Sequence, residues 1–489
     1  MIKPLWEHIL YQALLRPSAL AVWGPGGPIA YQALAHDVDG LATELLERGL
    51  TRQDVVGIEM GFSYLHVLLI LALDRLSIPS MSFVPRQTMP ASAAALMPFG
   101  VTAIVSGDAS PAAPPCRWLT MPEQHRPRLG APGGALPTQL DAPTEGLVRL
   151  IFSSGTTGGP KGSPVTRAIQ HHRIVNRRLT GGFGPRTRLF TGMPFSSNPG
   201  YVRLIAVLAA GGAVILPSPE LEFAEVASML GVTTAAGTPA MLAELLGRSG
   251  TAVRRLDGAP TFEVLGDHLP AKLAQDARLF LTPNLYNIYG ATETDQVTMA
   301  DATVCIADPS AAGFLMPAIE AEIVDDADRL LPAGREGRLR VRGSRVIAGY
   351  FRNATATQRN FCDGWFYPGD LGEITADGLL RITGRVEDVV VRDGARVSPA
   401  PLEDAIRSVR GVRDTAVFGL DGADGAAQLC AALVLEPGTD AASVRAAVTA
   451  QLGAQAPARG FGGGALPRNA AGKVQRRALA EMARRSVKA

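Results

Sequence analysis

The chain has 489 residues, 47% hydrophobic and 19% charged, which supplies apolar material for large cores in two or three domains and excludes a disordered chain. Forty-seven basic against forty-five acidic residues leave a net charge of +2, so there is no electrostatic reason to expect nucleic acid as a partner. Cys116, Cys305, Cys362 and Cys430 lie far apart without a CxxC pair, which argues against a metal cluster or disulfide framework and fits a cytoplasmic location.

The N-terminal MIKPLWEHIL has a charge inside its first apolar turn and no long apolar core, unlike a secretory signal. Apolar residues at helical spacing (Leu34, Val38, Leu41, Leu45, Leu46) predict a helix over Tyr31–Leu50, then a buried strand over Val55–Met60 and a helix over Tyr64–Leu73. The run from His66 to Leu73 is too short and too polar at its ends to span a bilayer, so no membrane association is expected. Val101–Val105 reads as a strand, and the alternation predicts layered α/β architecture with parallel strands. Residues 108–145, rich in Pro, Gly and Ala, read as a surface connection. A strand over Leu147–Phe152 follows, then further α/β units over Leu189–Leu285, and short strands split by Gly and Pro over Ile319–Tyr350 that predict a small barrel or hairpin set. After Gly384 the pattern is strand, helix (Pro401–Val409), strands (Thr415–Leu420, Leu429–Leu435) and helix (Ala442–Leu452), a compact α+β unit of about 100 residues.

The strand over Leu147–Phe152 runs into Ser153-Ser154-Gly155-Thr156-Thr157-Gly158-Gly159-Pro160-Lys161-Gly162. Glycines let backbone N–H groups approach an anion, the hydroxyls of Ser153, Ser154, Thr156 and Thr157 add donors, and Lys161 adds positive charge, a chemistry suited to polyphosphate. Pro160 stands where a GxxxxGK[ST] loop requires its second glycine, which excludes the P-loop of kinases and GTPases.

This loop resembles the phosphate-binding loop of the acyl-adenylating superfamily: acyl- and aryl-CoA synthetases, peptide-synthetase adenylation domains and luciferases. Further segments follow in that family's order. Tyr289-Gly290-Ala291-Thr292-Glu293 is similar to its YGxTE segment; the resemblance implies Tyr289 on the adenine, Thr292 at phosphate, Glu293 holding Mg²⁺, and Asn287, Gly290 and Ala291 in the same nucleotide-binding wall. Gly369-Asp370-Leu371 resembles the segment whose aspartate accepts both ribose hydroxyls. Gly384-Arg385-Val386-Glu387-Asp388 resembles the family's domain junction, with Arg385 at the nucleotide and Glu387 at the hinge. Gly394 and Arg396 match residues facing the acceptor thiol, and Leu466-Pro467-Arg468-Asn469-Ala470-Ala471-Gly472-Lys473 matches the loop whose lysine stabilises charge during adenylation. The implied organisation is a large domain over residues 1–386, of layered α/β subdomains plus a small barrel-like subdomain, and a mobile α+β domain over 387–489.

Departures from the family bear on substrate and acceptor. Met193-Pro194-Phe195-Ser196-Ser197-Asn198 aligns with the acid-pocket wall, with Phe195, Ser196 and Asn198 as candidate substrate contacts. Ser196 stands where relatives that activate α-amino acids carry Asp, which argues against an α-amino acid, and the histidine of many aryl- and acyl-CoA relatives is absent as well. Ser196, Ser197 and Asn198 either bind a hydroxyl or amine on an aromatic acid or leave room for a compact one. Gly266-Asp267-His268 replaces the usual turn lining the adenine and acyl pockets, and Asp267 and His268 are either reading groups or an exposed pair. Val391 and Asp393 replace lysine-type junction residues, Pro368 replaces Thr or Ser, and Phe461-Gly462-Gly463-Gly464 replaces an apolar strand and predicts a looser region before Lys473.

The expected activity is ATP- and Mg²⁺-dependent conversion of a small, aryl or compact carboxylic acid to acyl-AMP, followed by transfer to CoA or a carrier-protein phosphopantetheine thiol. An amine acceptor is the alternative. A non-catalytic nucleotide-binding scaffold would be marked by loss of Lys473, Glu293 or Asp370, and all three are present.

Overall fold

The computed structural model describes residues 4–83, 97–109, 116–125, 146–153, 161–217, 222–248, 256, 258–392, 395–421, 427–462, 464–468 and 474–488. Ser154, Gly155, Thr156, Thr157, Gly158, Gly394 and Lys473 lie outside them. Two sheets and a separate C-terminal unit carry the fold.

The first sheet has six strands in the order Arg117–Thr120, Ala103–Ser106, Val56–Glu59, Ser80–Phe83, Leu147–Ser153, Lys161–Thr166. Its neighbours are parallel except the last pair. Arg117–Thr120 corrects the reading of residues 108–145 as a plain connection. Its Trp118-Leu119 pair is a strand-forming nucleus, and the Arg117 guanidinium ties it to the Gly49 carbonyl at 2.8 Å and to Asp54 at 3.0 Å.

The second sheet, fifteen strands among the described residues, is parallel from Leu20–Gly24 through Ala213–Ile215, Arg188–Thr191, Thr234–Gly237 and Thr261–Leu265 to Leu285–Ala291. There the chain turns back as Asp295–Asp301, and every strand beyond is antiparallel. The hairpin set expected around 319–350 is therefore hydrogen-bonded onto the parallel sheet, through Ala311–Leu315 and Leu379–Arg385, and is not a free-standing barrel.

Helices Tyr64–Leu76 and Asn198–Ala210 run through the largest apolar cluster, together with Leu5–Leu15 and Tyr31–Glu47. All thirteen residues of Tyr64–Leu76 are buried, as their apolar circumference requires. Ser63 caps this helix by accepting from the His66 N–H, and Ser197 caps the second by accepting from Gly200 N–H. The His66 ring is buried inside the first: Nδ1 lies 2.9 Å from the Gly61 carbonyl, which can only accept, so Nδ1 carries the proton and Nε2 accepts from the Ser82 hydroxyl at 2.7 Å. Burial pushes its pKa down to about 3. A histidine kept neutral in the fold but free to protonate when unfolded lowers stability as pH falls below about 6.5, by roughly 1.4 kcal/mol per pH unit, until the folded value is reached. Denaturation followed from pH 6.5 to 4.5 should show this slope, and His66→Gln should flatten it by one proton's worth; an unchanged slope would refute the assignment.

The C-terminal unit is a three-stranded sheet, Val412–Asp421 antiparallel to Ala427–Leu435 and Arg459–Gly462 parallel to it, with helices Pro399–Arg407, Ala441–Leu452 and Arg476–Lys488. An apolar cluster covers each face of the sheet. Arg459–Gly462 corrects the expectation of a loose region there, because an edge strand is held by its backbone ladder to Cys430–Leu433 and needs little from its side chains. Arg476 ties the last helix inward, bidentate to Glu403 at 2.7 and 2.9 Å and reaching Asp388 at 3.0 Å.

Candidate functional site

The candidate site forms at the carboxyl ends of the parallel strands, where α/β sheets offer a crevice. Ser153 and Lys161 are register partners, so the two ends of the glycine-rich loop sit side by side at the end of a sheet hairpin. The Lys161 Nζ lies 4.9 Å over the Tyr350 ring and 3.5 Å from Asn360 Oδ1. The Tyr350 hydroxyl donates to Glu293 Oε1 at 2.8 Å, and the Glu293 backbone carbonyl accepts from Ile347 N–H at 2.9 Å. Burial, then the carboxylate itself, raises the Tyr350 pKa, so this phenol stays a donor. The structure thus brings Lys161 and Glu293 to one aromatic residue that the sequence reading did not single out.

A second cluster begins four residues earlier in the same run. The Tyr289 hydroxyl donates to Asp370, whose other oxygen lies 2.9 Å from Arg385 Nε. Arg385 also donates to the Pro368 carbonyl at 2.8 Å and stands 3.9 Å from Glu387. Burial and the Asp370 carboxylate hold Tyr289 well above the ordinary phenol range. Gly290 is a steric necessity, since a Cβ there would sit 1.9 Å from the Asp295 carbonyl oxygen. The run then closes into a turn in which Ala291 N–H donates to Thr294 Oγ1 at 3.0 Å and Asp295 takes a left-handed φ of 60°. Asn287 is buried mid-strand with its side chain against the Cys305 thiol, apart from these clusters.

The wall residues divide. Phe195 is turned into the core, 1% exposed, edge-on to Phe62 and His66, and its carbonyl accepts from Arg149 at 2.9 Å. Arg149 is itself buried, bonded to Ser80 and Ser82 hydroxyls at 2.9 and 2.6 Å and lying over the Tyr201 ring; burial lowers its pKa to about 10. Ser197 is spent on its cap and on the Pro194 carbonyl. Asn198 accepts from Arg173 at 2.7 Å and donates to Asp295 at 3.3 Å. Ser196, half-buried, is the one hydroxyl of this run with no hydrogen bond among the described residues. The side chains of Phe195, Ser197 and Asn198 are thus engaged with other protein groups that hold the wall together.

Gly266 ends its strand with φ +93°, a turn that favours glycine. The turn faces the C-terminal unit: His268 Nε2 lies 3.1 Å from Asp404, and Asp267 lies 3.9 Å from Arg468. Arg396 is in the strand Ala395–Val397, paired with Val391.

Behind Asn198 and Asp295 lies a buried ionic cluster that no motif announced. Glu263, on the central strand Thr261–Leu265, takes Arg203 Nε at 2.8 Å and Arg177 at 3.2 Å, and Arg177 reaches Asp295 at 3.7 Å. Arg345 donates to the Pro317 carbonyl at 2.6 Å and the Gln296 carbonyl at 3.0 Å. A charged residue between apolar neighbours on a predicted strand was the available signal for Glu263.

Among the described residues no three His, Cys, Asp or Glu side chains converge to cage a metal. Glu293, beside Lys161 and the loop ends, instead fits the way Mg²⁺ is held, by one carboxylate together with phosphate oxygens and water. No described helix is long and apolar enough to cross a membrane.

Comparison with known proteins agrees with this arrangement. Residues 11–351 match the family described as AMP-binding enzyme. The chain is 26% identical to a 4-chlorobenzoate–CoA ligase of an Arthrobacter species, over 98% of this chain and 95% of that protein. It is 27% identical to a salicylyl-CoA synthase / salicylate adenylyltransferase of a Streptomyces species, over 92% and 87%. The ATP-bound crystal structure of MatB from Rhodopseudomonas palustris superposes with a TM-score of 0.87 at 26% identity, covering 99% of each chain. The chain belongs to the family of AMP-binding enzymes.

Proposed function

We propose that this chain is an AMP-forming ligase that activates an aryl or other compact carboxylic acid and passes the acyl group to a thiol. The observation that carries the reading is the convergence of two carboxylate clusters, Lys161–Tyr350–Glu293 and Tyr289–Asp370–Arg385, on the single run Tyr289–Glu293 beside the ends of the glycine-rich loop.

In this reading Asp370 accepts the two ribose hydroxyls, Tyr289 covers the adenine, and Arg385 neutralises the Asp370 side of the nucleotide. The loop hydroxyls of Ser153, Ser154, Thr156 and Thr157, with Thr292 and Lys161, hold phosphate. Mg²⁺ on Glu293, when bound, withdraws charge from the phosphate oxygens. An oxygen of the acid's carboxylate attacks the α-phosphorus, the bond from phosphorus to the bridging oxygen breaks, and pyrophosphate leaves. The attacking group is already ionised, so no general base is required. Lys473 offsets the added negative charge. The thiol sulfur then attacks the acyl carbon, its proton is lost to solvent, and AMP departs with the former carboxylate oxygen.

A compact acid is supported by the Asn198–Asp295 bond, which joins the wall helix to the nucleotide run, with the ionic cluster behind it. Ser196 is the wall residue left to meet the acid. The division into residues 1–386 and 387–489, a hinge at Glu387, and Gly394 and Arg396 facing the acceptor belong to the same proposal, as does a reducing cytoplasmic setting, which suits four free thiols. The thiol is that of CoA or of a carrier-borne phosphopantetheine.

Pyrophosphate exchange across a panel of short and aryl acids tests activation; no exchange with any acid removes the reading. CoA, a holo-carrier protein or amines added to the preformed adenylate then identify the acceptor. Tyr350→Phe keeps the ring over which Lys161 sits and deletes the donor to Glu293. It should raise the Mg²⁺ needed for half-maximal exchange by roughly tenfold, the scale of losing a partner that orients a metal ligand. A Mg²⁺ dependence like wild type would separate Tyr350 from Glu293.

A further inference from the structure

Arg173, on helix Arg167–Thr180, is completely buried, and the sequence gives it no motif. Its guanidinium donates to Asn198 Oδ1 at 2.7 Å, to the Thr292 carbonyl at 3.2 Å, and to the Arg345 carbonyl at 3.1 and 3.4 Å. These acceptors belong to three stretches far apart in the chain: the acid wall, the nucleotide run, and the loop that continues to Tyr350 and so to Glu293. All three are neutral. Burying a guanidinium costs several kcal/mol unless its donors are well used, and here they are used on the parts that the proposed reaction must hold in register. A planar fork with donors in fixed directions can span three such acceptors; a lysine ammonium on a flexible stem cannot hold the same three at once.

We infer that Arg173 is a positioning residue of adenylation: it holds the acid wall at Asn198 against the nucleotide run at Thr292 and against the loop bearing Tyr350, and thereby sets the distance from the acid's carboxylate to the α-phosphorus. The inference rests on the adenylation reading above. It makes the guanidinium's shape, and not only its charge, the functional property, since a displacement of about 1 Å at reacting groups costs on the order of 10² in rate.

The test compares Arg173→Lys and Arg173→Met with wild type in acid-dependent ATP–pyrophosphate exchange, with thermal midpoints measured on the same preparations. Both variants should lose roughly 10² in kcat, with KM for acid and for ATP within about threefold of wild type, because each binding segment survives while their registration is lost. Asn198→Ala removes one arm without changing any charge and admits water to the vacated space; it should lose about tenfold in kcat with a near wild-type midpoint, which keeps the test open if the arginine variants fold poorly. Wild-type kcat in Arg173→Lys or in Asn198→Ala overturns the inference, as does a loss that disappears when rates are scaled to folded protein. Wild-type protein that exchanges with no acid overturns the adenylation reading and this inference with it, whereas active wild type with unaffected variants overturns this inference alone.

Discussion

Lys473→Ala is expected to reduce acid-dependent pyrophosphate exchange by roughly 10²–10³-fold, the scale of removing one preorganised donor from a developing charge. Lys473 itself lies outside the described residues, and the chain is described up to Arg468 and again from Val474. Arg468 and Val474 form an antiparallel bridge, and Gln475 N–H donates to the Pro467 carbonyl at 2.8 Å. Arg468 is held by Asp414 at 2.6 Å and stands 3.9 Å from Asp267, which places this bridge beside the Gly266–His268 turn at the end of a central strand. Transfer from chemically prepared acyl-AMP to the acceptor should persist in the variant, since that step breaks no phosphorus–oxygen bond. Exchange at the wild-type rate would remove Lys473 from the reaction.

The largest expected stability effect is at Glu263. Glu263→Ala should destabilise the protein by about 3–5 kcal/mol, because it strands the Arg203 guanidinium in a dry interior and leaves Arg177 only the longer contact to Asp295. Burial alone would raise the Glu263 pKa, but the two guanidiniums outweigh it and the net direction is down. A carboxylate held below its unfolded value contributes stability above the ordinary carboxylate range and loses it as pH falls through the folded value. Replacing Glu263 and Arg203 together by Leu and Met, with Arg177 kept on Asp295, should cost much less than Glu263→Ala, because the Arg203 charge is then no longer left without its counter-ion. Thermal midpoints of the two variants decide this: a single mutant as stable as wild type, or a double mutant worse than the single one, would contradict the ionic account.

Sequence patterns carried what is local. Periodicity placed helices Tyr31–Glu47, Tyr64–Leu76 and Ala441–Leu452 to within a few residues, and the run Tyr289–Glu293 and Asp370 stand together as their motifs imply. What periodicity missed is long-range. Arg177 meets Glu263 across 86 positions, and Arg173 meets Arg345 across 172. Nothing in the neighbourhood of either residue in the chain records such a meeting. Asn198 shows the other limit: its polarity was legible as a candidate contact, but not its hydrogen bonds to Arg173 and Asp295. Asp267 and His268 were legible as polar turn residues, but their partners come from the C-terminal unit.

Those last ties have a consequence for energetics. The His268–Asp404 and Asp267–Arg468 pairs are each partly open to water, with side-chain exposures of 39% and 27%, and of 42% and 35%. Polar contacts in such surroundings contribute about 0–1 kcal/mol each, and the Asp267–Arg468 pair weakens with salt. The two pairs together are therefore of the same size as the roughly 1.4 kcal/mol that changes an equilibrium tenfold. Contacts of this size are too weak to hold the C-terminal unit against the Gly266–His268 turn by themselves, and a ligand binding with a tenfold preference would outweigh them.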